Sequence, residues 1–244
     1  MPGERDLERM PVLVTGAGGG IGSAIAAACA EAGAELFLVD RDERVAEVAA
    51  ALGARSEILD LAEPAAAALA VERAAAALGS LEGVVQAAGV QIARRPLAEL
   101  EDGDWSRLLA INLTATTMVC RAAASTIERG SIVNVGSVSG RRGMAGIVAY
   151  SATKAAVHQL TRGLALELAP AVRVNAVAPG FVETPLTERL LADPAERSAV
   201  EEQVPLGRVA AAAEIAPAVR FLLSDQAAYV SGEVLTVDGG LLAQ

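Results

Sequence analysis

The chain has 244 residues and a formal net charge of −10. That length suits one α/β domain with a large core, and the acidic balance disfavours nucleic acid, whose phosphates need clustered basic side chains. No apolar run approaches the ~20 residues that span a bilayer, and residues 1–10 are too charged for a signal peptide or anchor, so we expect a cytoplasmic protein without a nucleic-acid or membrane partner.

The first predicted elements are a strand at residues 12–14 and a helix at residues 21–34, joined by a glycine-rich turn. Glycine permits positive φ and close backbone approach, and the amides at a helix start bind pyrophosphate. The strict G-x-G-x-x-G fingerprint is not met, because Ile21 stands where its third glycine would fall. Instead, Gly16, Gly20 and Gly22 form the pattern G-x-x-x-G-x-G, which predicts a dinucleotide-binding turn.

The second predicted strand, at residues 35–39, ends at a carboxylate. Asp40 lies eighteen residues past Gly22, close to the ~20 expected for an acid that bonds the adenosine ribose hydroxyls. A carboxylate there repels a 2′-phosphate, so Asp40 favours NAD over NADP. Arg41 follows it, and an arginine at this edge could pair with such a phosphate. We expect NAD as the cofactor, with NADP less favoured.

Strands and helices alternate along the rest of the chain, which predicts a parallel sheet with helices on both faces. No internal repeat, linker or second domain is visible, so residues 1–244 are expected to form one α/β domain with a doubly wound Rossmann fold. The predicted helices span residues 43–52, 64–78, 105–127, 150–168 and 214–224, and the predicted strands span residues 56–59, 83–86, 131–135, 172–177 and 233–237.

Tyr150 and Lys154 are the most informative pair in the chain. If residues 150–154 are helical, a spacing of four places both side chains on one face. A free tyrosine titrates near pH ~10, too high for an efficient base at neutral pH. A nearby ammonium favours the phenolate, so we predict that Lys154 lowers the pKa of the tyrosine. Ser137, thirteen residues earlier, could hold a substrate oxygen.

Together these motifs resemble the short-chain dehydrogenase/reductase family in its short, single-domain form, over nearly the whole chain. The resemblance identifies Ser137, Tyr150 and Lys154 as catalytic residues, and Asn112 as the asparagine that completes a tetrad. It implies further cofactor contacts at Asp60, Leu61, Ala88, Gly89, Pro179, Gly180 and Thr184. One departure is Gln86-Ala87, where the family often has two asparagines; we expect it to alter backbone hydrogen bonding rather than proton transfer.

The resemblance also implies hydride transfer between nicotinamide and a carbonyl or secondary alcohol carbon. Tyr150 would exchange the proton, Ser137 would stabilise the reacting oxygen, and Lys154 would hold the nicotinamide ribose. Asn112 would hold a water that relays protons to Lys154. Residues 185–204 would form a helical flap over the substrate. The helices that carry Asn112 and Tyr150 would form subunit interfaces, which implies a homotetramer, with a dimer as the second choice.

Two pairs of arginines, Arg94-Arg95 and Arg141-Arg142, follow the fourth strand and Ser137. In this fold both segments lie on the side where ligands bind. They are either solvated loop residues or contacts for a substrate carboxylate or phosphate.

Cysteine and histidine are too few for a common metal site. Cys29 and Cys120 each lie alone in an apolar helical stretch, which predicts buried thiols. His158 is the only histidine, so neither a His-based metal cluster nor a Ser-His-Asp triad is expected. We expect an ordinary packing role for His158, although its position four residues after Lys154 could place both on one helix face.

Several functions stay open. We expect an NAD-dependent oxidoreductase of a secondary alcohol or ketone. Within that class, residues 91–97 and 205–208 look similar to sugar-acid and polyol dehydrogenases. The framework also resembles 3-oxoacyl-carrier-protein reductases, which usually prefer NADP. A non-enzymatic dinucleotide sensor would commonly lack the catalytic tyrosine or lysine, and a dehydratase or epimerase of the longer family branch would need a larger carboxyl-terminal domain.

Overall fold

The computed structural model describes residues 6–63 and 65–243 of the chain. Its strands form one parallel seven-stranded sheet and one small parallel ribbon of two strands. The strands are β1 (Pro11–Thr15), β2 (Glu35–Asp40), β3 (Arg55–Ile58), β4 (Gly83–Gln86), β5 (Gly130–Val135), β6 (Val172–Pro179), β7 (Val182–Glu183), β8 (Ala210–Ala211) and β9 (Val234–Val237). The order in the large sheet is β3-β2-β1-β4-β5-β6-β9, and β7 pairs with β8.

Helices connect the strands and cover both faces of the sheet, so the predicted doubly wound Rossmann fold is confirmed. They are α1 (Gly20–Glu31), α2 (Arg44–Leu52), α3 (Ala66–Leu78), α4 (Asp102–Leu108), α5 (Thr116–Ala124), α6 (Val148–Glu167), α7 (Glu188–Leu191), α8 (Pro194–Glu201) and α9 (Ala216–Leu223). In the described part of the chain, no helix is long and apolar enough to cross a bilayer.

The apolar core has two layers because successive strand residues point to opposite faces. On β1, Val12 and Val14 join a buried cluster that includes Ile25 of α1 and Leu222 of α9. Leu13, between them, joins the opposite cluster with alanines of α3 and with residues of α5. The lone cysteines are free and buried, one in each layer, as predicted.

The largest departure from prediction is the helix expected at residues 105–127. The helical segment begins earlier, at Asp102, and ends at Ala124, with a π-helical stretch at Leu109–Ala115 between α4 and α5. The hydroxyls of Thr116 and Thr117 donate to the carbonyls of Asn112 and Leu113 at 3.0 and 2.8 Å. Threonine hydroxyls compete in this way for helix carbonyls, and apolar periodicity does not reveal such bonds.

Smaller differences occur at other boundaries. α1 ends at Glu31 rather than at residue 34, and α3 begins at Ala66, whereas Pro64 lies outside the described residues. Element boundaries are set by the last satisfied backbone hydrogen bond, which shifts by one or two residues without changing the periodic pattern.

The strand order reverses beside β1, which pairs with β2 on one side and β4 on the other. At this switch point the carboxyl ends of parallel strands diverge and leave a crevice above the sheet. Thr15 and Gln86, opposite each other in the register, end their strands at its floor. The loops after β1, β2, β4, β5 and β6 therefore converge on one place.

Candidate active site

The turn between β1 and α1 is built for close backbone approach. Gly16 has a φ of 68°, and a Cβ there would lie 2.5 Å from the amide nitrogen of Ala88. A Cβ at Gly22 would lie 2.1 Å from the carbonyl oxygen of Gly16. Both positions therefore require glycine. α1 begins at Gly20 with no acidic residue in its first turn, so a pyrophosphate at its amides would meet no competing carboxylate.

Asp40 closes the far side of this turn. Its carboxylate accepts hydrogen bonds from the backbone N–H groups of Gly18 and Asp42, both at 3.0 Å. The side chain is thereby fixed at the carboxyl end of β2. A carboxylate held next to a glycine turn fits the ribose end of a dinucleotide.

One cavity of about 950 Å³ runs from Asp40 past the glycine turn to Tyr150. It is thus at the upper end of the ~300–1,000 Å³ range of ligand pockets. All the residues predicted from the sequence to contact cofactor line it. These are Gly16, Gly20, Ile21, Gly22, Asp40, Arg41, Asp60, Leu61, Ala88, Gly89, Tyr150, Lys154, Pro179, Gly180 and Thr184. Ser137 lines it as well, whereas Asn112 is not among the lining residues.

Ser137, Tyr150 and Lys154 meet at one end of this cavity. α6 presents the latter two on one face, as their spacing predicts. Lys154 Nζ lies 5.8 Å from the centroid of the tyrosine ring and donates to the carbonyl oxygen of Val135 at 2.9 Å. Ser137 lines the cavity beside Tyr150, and its hydroxyl acts to lower the pKa of the phenol. A proton-exchanging phenol, a second hydroxyl and an ammonium therefore adjoin one another.

Burial reverses the predicted pKa shift of Tyr150. Tyr150 is 9% exposed and Lys154 is 5% exposed. Desolvation raises the pKa of Tyr150 to about 12, although the Ser137 hydroxyl acts to lower it, and desolvation lowers the pKa of Lys154 to about 8. The expectation that Lys154 lowers the pKa of the tyrosine is therefore wrong for this structure, because the cost of burying a charge dominates at both groups.

Asn112 lies in the π-helical stretch behind the cavity. Its side-chain oxygen accepts from the N–H of Val90 at 2.8 Å, and its amide donates to the Val90 carbonyl at 2.9 Å and to Thr153 at 3.2 Å. These bonds tie the segment after β4 to α6. A Cβ at Gly89 would lie 3.4 Å from both the Asn112 oxygen and Lys154 Nζ, so glycine keeps these two groups from being separated by a side chain.

The segment after β6 packs onto the glycine turn. A Cβ at Gly20 would lie 2.7 Å from the Thr184 methyl group, so Thr184 sits over the start of α1. The hydroxyl of Thr187 accepts from the N–H of Thr184 at 3.1 Å and donates to the Val182 carbonyl at 2.5 Å. Two short helices follow, α7 and α8, within the segment predicted to be a helical flap.

The two arginine pairs differ in their surroundings. Arg95 pairs with Glu101 and Asp104 at 3.0 and 3.3 Å, and Arg141 lies 3.7 Å from Glu233 and donates to the Val234 carbonyl. Arg142 donates only to the Leu241 carbonyl, at 3.5 Å. Among the described residues, no carboxylate lies within ion-pair distance of Arg94, which is exposed and lines the cavity. The members of each pair are therefore not equivalent.

Three contributors to the site were missed from the sequence. The Val135 carbonyl holds Lys154, and Val90 holds Asn112 through its backbone; neither carries a side-chain signal. His158 is 2% exposed, and its Nε2 accepts from the backbone N–H of Ser137 at 3.4 Å. Its spacing from Lys154 was the only available indication. Within the described residues, no group of three or more His, Cys, Asp or Glu side chains could hold a metal ion.

Gln86 stands where the family often has the first of two asparagines. It is 3% exposed, and its oxygen accepts from the Thr15 hydroxyl at 3.0 Å. Among the described side chains, its Nε2 has no hydrogen-bond partner. The substitution thus keeps a bond between the ends of β1 and β4.

Comparison with known proteins decides the family. A family model described as Enoyl-(Acyl carrier protein) reductase matches residues 16–242. The cis-4-hydroxycyclohexanecarboxylate dehydrogenase of Sinomonas cyclohexanicum is 42% identical over 99% of this chain and 99% of its own length. The chain belongs to the short-chain dehydrogenase/reductase family. Its relatives are dehydrogenases and reductases acting on CH–OH groups, and the chain is an enzyme of this type.

Two solved members of the family share the fold over their whole length. The short-chain dehydrogenase/reductase from Brucella melitensis, described as a glucose/ribitol dehydrogenase, has a TM-score of 0.93 and 36% identity, covering 98% of this chain and 99% of that one. A protein from Beutenbergia cavernae described as an NAD(P)-dependent gluconate 5-dehydrogenase, solved with NADP, has a TM-score of 0.92 and 39% identity, covering 99% and 100%.

Proposed function

We propose that this short-chain dehydrogenase/reductase transfers a hydride between NAD and a secondary alcohol or ketone that carries a carboxylate. The observation that supports the reaction is the convergence of Ser137, Tyr150 and Lys154 at one end of a cavity whose other end is a glycine turn. The turn's backbone requirement and the fixed carboxylate of Asp40 fit a dinucleotide. When bound, the nicotinamide supplies the redox chemistry.

Tyr150 exchanges the proton of the reacting oxygen. With its pKa raised to about 12, the phenol is protonated at neutral pH and serves as the proton donor when a ketone is reduced. In the oxidation of an alcohol, the phenol would first release its own proton through the relay beside Lys154 to solvent, and the phenolate oxygen would then accept the proton of the alcohol. Ser137 donates a hydrogen bond to the substrate oxygen and stabilises its developing charge.

Lys154 would bind the cofactor ribose, and its ammonium supplies positive charge to the site. Its ammonium has three donors, one of which is used by the Val135 carbonyl in the described structure. The remaining donors are positioned for ribose hydroxyls and for a water between Lys154 and Asn112, where Gly89 has no side chain to intervene. That water would relay protons to solvent.

Asp40 favours NAD over NADP. Its carboxylate repels a 2′-phosphate, and it accepts from Gly18 in a fixed position. Arg44, the neighbouring arginine, is bound by Asp42 through two bonds of 2.9 and 2.8 Å and is therefore already neutralised. Arg41 is left as the one cavity-lining cation at this end without a described ion pair.

Arg94 supports a carboxylate on the substrate. It follows β4 at the substrate end of the cavity, and Arg107 and Arg189 also line that end without a described ion-pair partner. Asp193 and Glu196 also line the cavity, so its lining carries both signs of charge. Two relatives are named for carboxylate substrates, a hydroxycyclohexanecarboxylate and gluconate, which agrees with a hydroxy acid rather than a neutral polyol.

A 3-oxoacyl-carrier-protein reductase is the second candidate. It is supported by a relative with that activity, the 3-oxoacyl-(acyl-carrier-protein) reductase of Escherichia coli, which is 37% identical over 94% of this chain, and such enzymes usually use NADPH. Asp40 and the neutralised Arg44 argue against it. A non-enzymatic sensor is disfavoured, because both Tyr150 and Lys154 are present and adjoin the cavity.

Assembly and location remain predictions. α4 and α6 expose the large apolar side chains Trp105, Val148 and Leu166, the last 83% exposed, which supports a subunit interface on these helices and a homotetramer. The single-domain boundaries at 1–244, the flap role of residues 185–204 and a cytoplasmic location rest on the sequence; the two free cysteines agree with a reducing compartment.

The experiment that tests the function is a panel of cyclic and linear hydroxy acids beside their neutral alcohol and ester analogues, with NAD and NADP in parallel and turnover followed at the nicotinamide absorbance band. Turnover of hydroxy acids with NAD is expected. Exclusive turnover of acyl thioesters with NADPH would transfer the assignment to the second candidate, and a lack of turnover with every compound would contradict both.

A further inference from the structure

His158 packs beneath the loop that carries Ser137. It lies on α6, one turn after Lys154 and two turns after Tyr150, and is 2% exposed. It is not among the residues that line the cavity. Because it is the only histidine of the chain, every imidazole signal of the protein belongs to it.

The imidazole is hydrogen-bonded to the backbone of this loop. His158 Nε2 accepts from the N–H of Ser137 at 3.4 Å, and the ring packs against Gly140 of the same loop. A ring nitrogen that accepts a hydrogen bond carries no proton, so the neutral imidazole has its proton on Nδ1. Burial and the charges of Arg141, Arg162 and Lys154 lower the pKa of His158 to about 4, which keeps the ring neutral at pH 7.

Two glycines leave room for the ring. A Cβ at Gly136 would lie 2.2 Å from His158 Nε2, and a Cβ at Gly140 would lie 2.7 Å from its Cε1. Neither glycine is among those with positive φ, so contact with the imidazole, rather than backbone conformation, excludes a side chain at both positions. The loop and the imidazole are therefore sterically matched.

The same loop directs the Ser137 hydroxyl. Ser137 Oγ accepts from the N–H and the hydroxyl of Ser139 at 3.2 and 3.0 Å, and Ser137 lines the cavity together with Tyr150. The N–H that donates to His158 belongs to the same residue as this hydroxyl and adjoins the Cα that bears the side chain. Loss of the acceptor would leave a part-buried N–H unsatisfied, and the backbone would move to find another partner.

We propose that His158 is a positioning residue for the reaction, whose unprotonated Nε2 holds the Ser137 backbone so that the serine hydroxyl faces Tyr150 and the substrate oxygen. The inference rests on the proposed function for the role of Ser137. It assigns the only histidine to the active-site support rather than to ordinary packing.

The first test reads the tautomer directly. Long-range ¹H–¹⁵N correlation spectra of the uniformly ¹⁵N-labelled wild-type protein at pH 7 are expected to show one neutral imidazole protonated on Nδ1. An imidazole protonated on Nε2, or a cationic ring, would overturn the proposal. Because this measurement needs no substrate, it tests the hydrogen bond between His158 and Ser137 separately from the proposed function.

The second test is a double-mutant cycle. His158→Leu is expected to lower kcat roughly ten-fold, because the part-buried N–H of Ser137 loses its acceptor. The KM for NAD is expected to stay unchanged. His158→Gln, which restores an acceptor oxygen, is expected to recover part of kcat. In the Ser137→Ala background, His158→Leu is expected to lower kcat by less than about two-fold, because the hydroxyl it positions is absent.

The exposed neighbour Gln159 provides the control, because Gln159→Leu places the same side chain on the same helix and is expected to leave kcat unchanged. An equal loss from His158→Leu with and without the Ser137 hydroxyl would overturn the proposal, as would full activity of the single variant. Folding of each variant is checked by near-UV circular dichroism; where His158→Leu does not fold, the tautomer and the His158→Gln variant decide.

Discussion

Lys154 Nζ lies 5.8 Å from the centre of the Tyr150 ring and donates to the carbonyl of Val135, not to the tyrosine hydroxyl. The ammonium therefore acts on the phenol through space while being held by the end of β5. Because both groups are buried, desolvation dominates their protonation and separates their pKa values to about 12 and about 8. Five predictions follow from this site and its surroundings.

Replacing Tyr150 by phenylalanine is expected to lower kcat at least ~100-fold, the lower end of the range for general acid–base catalysis, because the proton-exchanging hydroxyl is lost. NAD binding, measured by isothermal titration, is expected to persist. Tyr229→Phe is the matched control, since Tyr229 is the other tyrosine and is fully exposed. Near-full turnover by Tyr150→Phe would contradict the proposed role.

The burial of Lys154 is expected to make stability depend on pH. Its pKa falls from 10.5 to about 8 in the folded state, which corresponds to about 3 kcal/mol. The folded protein is more stable by this amount above the unfolded pKa of Lys154, and the difference is lost as pH falls through the folded pKa. The free energy of unfolding, measured with urea, should therefore rise between pH 8 and 9, below the ordinary pKa of 9.0 of the buried cysteines Cys29 and Cys120.

Lys154→Met is the comparison, because methionine fills similar space without a charge and its variant should lack this rise. The comparison stops at pH 9, because the buried thiols of Cys29 and Cys120 act in the opposite sense above it, as does Tyr150 above pH 10. A raised folded pKa gives stability that is lost as pH rises through about 12. Since Lys154 is the only lysine, its ¹⁵N resonance reports the pKa without ambiguity; a value near 10.5 would contradict the argument.

Asp40→Ala is expected to reduce the ratio of kcat/KM for NAD over NADP by roughly ten-fold or more, the effect of losing one hydrogen bond to a charged group. Asp42→Asn should reduce the ratio by a different route, because it frees Arg44 for a 2′-phosphate. An unchanged ratio in Asp40→Ala would refute the assignment of Asp40 to the ribose hydroxyls.

Arg94→Met is expected to raise the KM for hydroxy acids roughly ten-fold or more, because a charge-assisted hydrogen bond is lost, with little effect on neutral alcohols. Arg121→Met removes the same charge from an exposed arginine outside the cavity and should change neither. An equal rise in the KM for acids and for neutral alcohols in Arg94→Met would show that Arg94 does not bind the substrate carboxylate.

Light scattering of the wild-type protein is expected to give four times the mass of 24.7 kDa per chain. Leu166→Glu on α6 should reduce that mass, since a carboxylate would be buried in an apolar contact. Ile58→Glu, which changes an exposed residue at the end of β3, should not. A monomeric wild-type protein would rule out the interface.

Much of the site could be predicted because its signals are local. The glycine turn is recognisable because part of its steric requirement is local, since a Cβ at Gly22 would lie 2.1 Å from the carbonyl oxygen of Gly16. Tyr150 and Lys154 share a face because helix geometry fixes the spacing. Asp40 was identified from its place at the end of a strand. The family resemblance added residues such as Asp60 and Thr184, which line the same cavity.

The parts that could not be predicted depend on contacts between distant segments. Apolar periodicity gives no sign of the π-helical stretch, because the Thr116 hydroxyl and the Val90 backbone compensate for it. Arg94 and Arg95 are adjacent in sequence, yet only the second meets carboxylates from the next helix. His158 is recognisable as a histidine near Lys154 but not as the acceptor of the Ser137 N–H.

By itself, the sequence determined the alternation of strands and helices, the positions that must be glycine and the residues that converge at the carboxyl ends of the strands, because sterics and periodicity act over a few residues. Only the tertiary structure decided the protonation of Tyr150 and Lys154 and the partner of each arginine. Desolvation and charge pairing depend on which segments, remote along the chain, enclose a group, and that enclosure exists only once the sheet and its helices have packed.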